Sequence, residues 1–408
     1  MTTQEIIPII GGGPAGTASA MNLLRYGFQP LIIERDSFPR FHIGESLTTE
    51  CVDALNRLGL QAQLAALSAP GKKGVRIFSR HPENSFYVGA GDAWQVERAR
   101  FDSMMLDTAV ERGAHHLQGS ARKLVFEDGH WRVDVETADG STRQIASRFV
   151  IDASGQQRFS QRQGLIGPLQ EGRYARQIAF FSQFEGVTRE PSDAWDTLIF
   201  HRDMHEWCWM IPLSEQVTSI GLVLPVETWK QDKQSVDEFL DTRLAEFSAP
   251  LALRLSSARR VGPVRTVSNY SYRIEPYASR GLFCVGDSHR FIDPIFSFGV
   301  EFAVVEAEYV GKAIQACSGL DTAAWSAHID NYLRITTEAQ NVIDDMLQYF
   351  WAYPWGFANM AHVRFREEFL EIFAGRLYES GEGEGLRRMR DTLANDRDSD
   401  RRQSASPH

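Results

Sequence analysis

The stretch that decides the fold is "EIIPIIGGGPAGTASA", residues 5–20. It begins as a short apolar strand, turns through glycines, and continues with small residues that suit a helix packed closely on a sheet. Gly11, Gly13 and Gly16 give the spacing GxGxxG between the two. In that spacing the glycines allow a tight turn, close approach of a pyrophosphate and close helix–strand packing, in that order. The stretch therefore predicts an α/β unit that binds a dinucleotide.

The residues that follow complete this unit. "TASAMNLLRYG" has the apolar spacing of a helix, and Gly27 is placed to end it. The free N–H groups at the start of that helix would receive the phosphates. "QPLIIERD" reads as the second strand and ends at Glu34, about 20 residues beyond the glycines, where an acid accepts hydrogen bonds from ribose hydroxyls. At this point either a nicotinamide or a flavin nucleotide fits.

Composition narrows the class of protein. A chain of 408 residues with 43% hydrophobic residues is long enough for two or three domains, and its net charge of −10 argues against a nucleic-acid partner. The four cysteines are far apart and form no CxxC pair, which predicts neither a disulfide framework nor a metal site. No apolar run is long enough to span a bilayer, and the first residues do not resemble a signal peptide. We expect a cytoplasmic protein.

The pattern along the chain predicts three regions and a tail. Residues 45–59 and 97–113 have helical spacing, and 120–152 alternate as a meander with Asp-Gly turns. Strand-like segments between 175 and 225 predict a second, antiparallel sheet, and 298–380 read mainly as helices. The predicted boundaries are a discontinuous nucleotide domain (1–168 and 262–320), a substrate-side sheet (169–261), a helical region (321–390) and a disordered tail (391–408).

Two further motifs select flavin. Arg98, Phe101 and Asp102 have the spacing R-x-x-F-D, and Gly286-Asp287 follow the buried strand "GLFCV". Together with the glycine turn, in this order along the chain, they resemble FAD-dependent monooxygenase-like enzymes. The resemblance implies that Arg98 approaches the ribityl–phosphate region and that Asp287 accepts a hydrogen bond from a ribityl hydroxyl.

A narrower resemblance rests on two more motifs. "WCWMIP" at 207–212 matches W-x-W-x-I-P, and "FIDPIFSFG" at 291–299 matches F-x-x-P-x-x-S-x-G. The early segment "FPRFHIGESL", residues 38–47, also fits. From about residue 5 to about residue 350 the chain resembles the flavin-dependent halogenases. This implies a Rossmann-like FAD domain of the glutathione-reductase type, with an antiparallel substrate sheet and carboxy-terminal helices.

The resemblance gives the motifs roles. Trp207 and Trp209, on one face of a strand, would keep an organic substrate away from the oxidising flavin while a halide passes. Chloride or bromide would bind backbone donors at the turn from Ser297 to Gly299, where a helix begins, and Pro294 would fix that turn against the flavin.

The family also uses a lysine that receives the hypohalous acid and directs it to the substrate. "SAPGKKGVRIF" offers Lys72 and Lys73, of which Lys72 fits the K-x-G pattern better. Burial would lower the pKa of such a lysine and make it a better nucleophile or donor. Two lysines on an exposed loop are the alternative.

The expected site residues follow from these motifs. Those expected to be catalytic are Lys72, Trp207, Trp209 and Ser297. Those expected to bind the cofactor are Gly11, Gly13, Pro14, Ala15, Gly16, Glu34, Arg98, Asp287, Pro294 and Gly299.

Several neighbouring residues keep two interpretations. His289 and Arg290 fit contacts with the substrate or the pyrophosphate, and equally a solvated rim. His42 and Glu45 are candidates for orienting a substrate hydroxyl. The aromatic run "MLQYFWAYPWGF", residues 346–357, fits helix packing, and it is also our candidate for an aromatic lid.

The sequence departs from the halogenase pattern at two positions. Phe298 and Glu301 stand where small residues, and often histidine, are usual. A phenyl ring would narrow a halide pocket, and an ionised carboxylate one turn into the helix would repel an anion.

The expected function is halogenation of an electron-rich aromatic substrate, either phenolic, pyrrolic or carrier-bound. The reaction would use oxygen, a halide and FADH2 from a separate flavin reductase, because no second dinucleotide motif is visible. Two alternatives remain at this stage. One is an FAD monooxygenase, oxidase or reductase that uses no halide, and the other is a flavin-bound regulatory or carrier-interacting protein without catalysis.

Overall fold

A computed structural model describes residues 5–79, 85–172, 176–203, 205–268, 271–378 and 381–404. The chain forms two compact units. Unit 1 comprises 1–71, 92–172 and 271–337, and unit 2 comprises 72–91, 173–270 and 338–408. These units differ from the predicted boundaries chiefly by the segment 72–91, which belongs to unit 2.

Unit 1 is built on an eight-stranded sheet of order β17-β18-β8-β1-β2-β5-β6-β7. Its strands are β1 (Ile6–Ile10), β2 (Gln29–Glu34), β5 (His115–Glu127), β6 (His130–Thr137), β7 (Thr142–Ser147), β8 (Val150–Asp152), β17 (Ala278–Ser279) and β18 (Leu282–Cys284). The strands β18, β8, β1, β2 and β5 are parallel neighbours. β1 therefore lies between β2 and β8, and the carboxyl end of β1 is the point where such sheets bind dinucleotides.

A small sheet and several helices complete unit 1. The small sheet has β9 (Leu169–Glu171), β16 (Tyr272–Ile274) and β19 (Arg290–Phe291). The helices are α1 (Pro14–Arg25), α2 (Thr49–Arg57), α3 (Gln61–Ala66), α4 (Arg98–Glu111), α5 (Phe159–Arg162) and α9 (Gly299–Ser318). As predicted, Gly27 terminates α1 just beyond its last residue, with φ +81°, and both Asp-Gly turns of the meander are present.

Unit 2 is built on a second sheet of order β14-β10-β13-β12-β11-β3-β4, with β15 also paired to β10. Its strands are β3 (Gly71–Phe78), β4 (Ser85–Trp94), β10 (Gln177–Glu185), β11 (Thr197–Asp203), β12 (Glu206–Pro212), β13 (Val217–Pro225), β14 (Arg259–Arg260) and β15 (Arg265–Ser268). The four strands predicted between 175 and 225 are antiparallel neighbours. The segment 72–91 joins them because β3 pairs in parallel with β11.

The helices of unit 2 cover one face of this sheet and continue at the carboxy end. They are α6 (Val226–Lys230), α7 (Val236–Phe247), α8 (Ala249–Leu255), α11 (Pro354–Asn359), α12 (Arg366–Phe373) and α13 (Glu384–Ser404), and the long helix α10 (Ser326–Ala352) passes from unit 1 into unit 2. Apolar side chains of β10–β13 pack against α7 and α8 to form the core.

The prediction of a disordered tail at 391–408 is wrong as far as Ser404, because α13 is a continuous helix. Leu386, Met389 and Leu393 form a buried stripe at helical spacing, and Arg390 Nε lies 2.8 Å from Asp345 Oδ2. The last four residues lie outside the described part of the chain.

None of the helices in the described part of the chain is both long and apolar enough to cross a membrane. Within the same residues no cluster of three or more His, Cys, Asp or Glu side chains is arranged to hold a metal ion. All four cysteines are buried with free thiols.

Candidate functional site

The glycine turn after β1 has the geometry that a nucleotide cradle requires. Gly11 has φ +109°, and a Cβ there would lie 2.3 Å from the Ala153 carbonyl oxygen. A Cβ at Gly16 would lie 1.9 Å from the Gly11 carbonyl oxygen. A side chain at either position would clash with the backbone, so this conformation of the turn requires glycine at both. Pro14 and Ala15 then open α1, with Pro14 at the first helical position.

Glu34 is fixed at the end of β2 by the turn itself. Its Oε2 accepts a hydrogen bond from the Gly12 N–H at 2.6 Å, and its Oε1 accepts one from the Asp36 N–H at 2.7 Å. Each oxygen keeps a lone pair for a further donor. The backbone contact with Gly12 orients the carboxylate that was predicted to bind the ribose.

Arg98 is buried and firmly held. Its Nε and Nη2 donate to the two carboxylate oxygens of Asp102 at 2.8 and 3.0 Å, and its Nη1 donates to the Ile43 carbonyl at 2.6 Å. The R-x-x-F-D motif is thus a bidentate ion pair one helical turn apart. The guanidinium already has these partners, so a cofactor would meet an arginine that is held in place.

Arg40 is a cation that the sequence analysis missed. Its Nη1 donates to Asp102 Oδ2 at 3.2 Å, and its Nη2 lies 3.4 Å from the position of a Cβ on Gly13. It therefore stands beside the turn predicted to hold the pyrophosphate. It lies in "FPRFHIGESL", which was matched to the family only as a whole segment. The position of a basic residue six positions after Glu34 could have indicated it as a phosphate contact.

Asp287 follows β18 in a partly buried position. Burial raises the pKa of its carboxyl group to about 7, although a hydrogen bond from Gln156 and the charge of Arg98 oppose this. Near neutral pH both its protonated and its ionised form are therefore populated. The ionised form accepts a hydrogen bond from a polyol hydroxyl, and the protonated form can donate one. Gln156, which no motif indicated, shares in holding it.

His289 and Arg290 are both buried, so the interpretation of a solvated rim is wrong. His289 Nε2 lies 3.0 Å from Glu306 Oε2, and its ring stacks on Tyr277 with centroids 3.8 Å apart. Glu306 also accepts a hydrogen bond from the Gly286 N–H at 2.7 Å. The histidine is therefore part of the support beneath the Gly286-Asp287 turn.

The motif at 291–299 forms a tight turn into α9. Residues Pro294–Phe296 make a single 3₁₀ turn, and Ser297 follows in the left-handed region with φ +64°. Phe298 is buried, whereas a Cβ at Gly299 would meet no atom of the described residues within 4 Å. The start of α9 thus presents open backbone at Gly299, and the phenyl ring of Phe298 is turned into the protein.

Glu301 is buried one turn into α9 and faces α2. Thr48 Oγ1 donates to its Oε2 at 2.5 Å. Burial raises the pKa of this carboxyl group well above its ordinary value. Burial thus favours the neutral form of this carboxyl group, which would not repel a halide.

Unit 2 distinguishes the two candidate lysines. Lys72 is buried in β3, and burial lowers the pKa of its ammonium group to about 8 while Asp196 opposes the shift. Lys73 is exposed on the same strand. Only Lys72 has the desolvated environment that the predicted role requires.

Trp207 and Trp209 lie on one face of β12, as the alternation predicted. Their ring centroids are 5.9 Å apart, and the Trp209 ring lies over Gly221, where a Cβ would come within 2.1 Å of it. Trp209 Nε1 donates to Ser219 Oγ at 3.2 Å. Cys208, between them, points to the opposite face and joins the core. The two indoles therefore do not belong to that core.

The residues of unit 1 fit FAD. The backbone of the turn excludes side chains at Gly11 and Gly16, a cation stands beside it, and the carboxyl groups of Glu34 and Asp287 follow β2 and β18. This donor and acceptor set suits the pyrophosphate and hydroxyl groups of FAD. A family model for the FAD binding domain matches residues 3–348. A 1H-pyrrole-2-carbonyl-(peptidyl-carrier protein) brominase from Pseudoalteromonas luteoviolacea (strain 2ta16) is 34% identical over 373 residues, which cover 90% of this chain and 91% of that enzyme.

The chain belongs to the flavin-dependent halogenases. A chlorinase of the same carrier-bound group, from Pseudomonas fluorescens, is 26% identical over 95% of this chain and 93% of its own. The solved structure of the flavin-dependent brominase Bmp2 matches this halogenase with a TM-score of 0.91 at 32% identity, covering 97% of this chain and 100% of that one. The predicted fold class is confirmed, and so are the FAD and halide dependence and the enzymatic function.

Proposed function

We propose that this halogenase brominates or chlorinates a pyrrole-2-carbonyl group carried on a peptidyl carrier protein. The observation that carries the proposal is the 34% identity to a brominase of that substrate, because it extends over about nine-tenths of both chains. A chlorinase of the same carrier-bound group is also similar over nearly its whole length. Because one of these relatives is a brominase and the other a chlorinase, both bromide and chloride are candidate halides.

The roles proposed for individual residues follow the family resemblance. FAD, when reduced, supplies the oxygen chemistry that converts a halide into an electrophile. Lys72 receives that species and directs it to the substrate, and its buried amine with a pKa near 8 supports this. Trp207 and Trp209 hold the organic substrate back, and the backbone from Ser297 to Gly299 offers donors to the halide.

We further propose a separate flavin reductase as partner, since the chain shows one GxGxxG turn only. We propose a cytoplasmic setting from the buried free thiols, which suit a reducing compartment.

The test uses the full-length protein with FAD, NADH, a flavin reductase, oxygen and either bromide or chloride. A peptidyl carrier loaded with pyrrole-2-carboxylate is compared with the same acid free in solution. Mass spectrometry of the carrier should show the isotope pattern of bromine or chlorine, and the free acid should remain unmodified.

Two results would contradict the proposal. Halogenation of the free acid at the same rate would remove the carrier requirement. A hydroxylated product that forms equally well without halide would move the activity to a monooxygenase.

A further inference from the structure

Unit 2 contains a group of packed aromatic rings in which three ring nitrogens have no hydrogen-bond partner among the described residues. His201 in β11 and Trp207 in β12 are paired residues of the antiparallel ladder, so their side chains share one face of the sheet. Trp351, near the end of α10, packs against His201 with ring centroids 5.8 Å apart, and Phe350 does so at 5.6 Å. We call His201, Trp207, Phe350 and Trp351 the aromatic group.

Three polar atoms in the aromatic group lack a hydrogen-bond partner among the described residues. They are His201 Nε2, Trp207 Nε1 and Trp351 Nε1. Trp207 and Trp351 are only 2% and 7% exposed. Native proteins pair nearly all of their buried polar atoms, so three unpaired nitrogens in one place point to a ligand.

The aromatic group is also without net charge. Burial lowers the pKa of His201 to about 4, so that at neutral pH its imidazole has one N–H donor and one nitrogen acceptor. The neighbouring Arg202 is engaged by Glu206, with Nη1 and Oε1 3.8 Å apart. The group therefore offers one acceptor and indole donors beside flat aromatic rings, which suits a neutral aromatic ligand better than an anion.

We propose that the aromatic group recognises the pyrrole-2-carbonyl moiety of the substrate, an inference that rests on the proposed function. The pyrrole N–H donates to the ring nitrogen of His201, and the adjacent carbonyl oxygen accepts from an indole N–H, for which Trp351, whose ring contacts that of His201, is the candidate. Pyrrole-2-carbonyl presents this donor and this acceptor on one edge, and its flat ring can stack on the face of an aromatic side chain. A free pyrrole-2-carboxylate would bring a charge that nothing in the group neutralises, in agreement with an acyl group bound to a carrier.

The test compares two probes that differ in one atom. Pyrrole-2-carboxamide has the ring N–H, whereas furan-2-carboxamide has a ring oxygen that cannot donate and would face the imidazole nitrogen. Calorimetry with the FAD-loaded protein should show the pyrrole binding roughly 10-fold more tightly, as expected when one hydrogen bond is replaced by two opposed acceptors.

Variants then assign the contacts. His201→Phe keeps an aromatic ring at this position and removes the two ring nitrogens. It should abolish the preference for pyrrole over furan. Trp351→Phe should weaken both probes by a similar factor, because both have the carbonyl. Trp355→Phe is the matched control, since that ring is 71% exposed, and it should change neither affinity. Melting temperatures show whether each variant folds, and the comparison of the two probes on the unaltered protein needs no variant.

The outcomes separate this inference from the proposed function. Turnover of the pyrrolyl carrier by the unaltered protein, together with equal affinity for the two probes or binding of neither, overturns the recognition site alone. The same holds if His201→Phe folds and keeps the preference. A pyrrole preference that His201→Phe removes, without turnover of the carrier, supports the site and overturns the proposed function.

Discussion

The glycine turn of unit 1 and the sheet face of unit 2 make their functional groups in opposite ways. In the turn, main-chain atoms are expected to contact the cofactor, and glycine is required because a Cβ at Gly11 or Gly16 would overlap a carbonyl oxygen. On the sheet, the proposed roles belong to side chains such as Lys72 and Trp207, and the backbone is an ordinary strand. A substitution in the turn should therefore lower the affinity for FAD. A substitution on the sheet should lower the rate of halogenation and leave the fold intact.

The largest expected effect is that of Gly16→Ala. The new methyl group would lie 1.9 Å from the Gly11 carbonyl oxygen, so α1 must move away from the turn. We expect FAD affinity to fall by at least ~100-fold and stability by about 1–3 kcal/mol, as for other overpacked positions. Fluorescence titration with FAD and thermal melting measure both effects.

Gly319→Ala is the matched control for that change, because a Cβ there meets no atom within 4 Å in the part of the chain that the structure describes. It should bind FAD as the unaltered protein does. Normal FAD affinity in Gly16→Ala would show that the turn can adjust, and the contrast between the two regions would then fail.

The next effect in size is that of Lys72→Met on activity. Removing the amine should lower halogenation by about 100-fold or more, in the range usual for a positioned proton-transfer or nucleophilic group. FAD binding should not change, because Lys72 is not among the residues expected to bind the cofactor. Lys73→Met is the control and should stay within about threefold, since that side chain is exposed. The reverse result would transfer the role to Lys73.

The same variant should be more stable than the unaltered protein near pH 7. The folded-state pKa of Lys72 is about 8 and the ordinary value is 10.5, so burial of the charge costs up to about 3 kcal/mol below pH 8. The unfolded chain binds more protons between those two values, and the cost therefore disappears as the pH rises from 8 to 10.5. Urea unfolding of both proteins at pH 7 and pH 10 should show a gain that shrinks. A loss of stability at pH 7 would mean that the amine is well paired.

A smaller effect is expected for Gly299→Ala, which tests the predicted halide contact. The methyl group meets no protein atom, and alanine suits the first turn of a helix, so stability and FAD binding should be unchanged. If a halide approaches this backbone, its KM should rise by roughly 10-fold, the effect of weakening one or two hydrogen bonds to an anion. An unchanged KM for both chloride and bromide would remove the halide from this turn.

The contrast between the two regions also explains what the sequence could predict. The spacing of Gly11, Gly13 and Gly16 reports a local backbone path, and so do Gly27 and the Asp-Gly turns, all of which the structure contains. Local steric constraints leave a pattern within a few residues of the chain.

Long-range partners leave no such pattern. The parallel pairing of β3 with β11 joins residues more than 100 positions apart, which is why residues 72–91 were expected in the wrong unit. The burial of His289 depends on Glu306 and Tyr277, which come from other elements. The helix at 384–404 was missed because its apolar stripe spans only two turns within a strongly charged segment. In each case the deciding contact lies outside the window that periodicity describes.

The smallest expected effect is that of Glu301→Gln, at one of the two positions where the sequence departs from the expected halogenase pattern. The carboxyl group is buried and hydrogen-bonded to Thr48, and burial raises its pKa well above the ordinary value, which favours the neutral form. Glutamine has the same shape and no charge, and the halide KM should therefore stay within about twofold. An ionised carboxylate ~6 Å from a halide would repel it by roughly 3 kcal/mol, and its removal would lower KM by more than 100-fold. Steady-state kinetics with bromide distinguishes the two cases, since a fall of even 10-fold would show that Glu301 is charged in the folded enzyme.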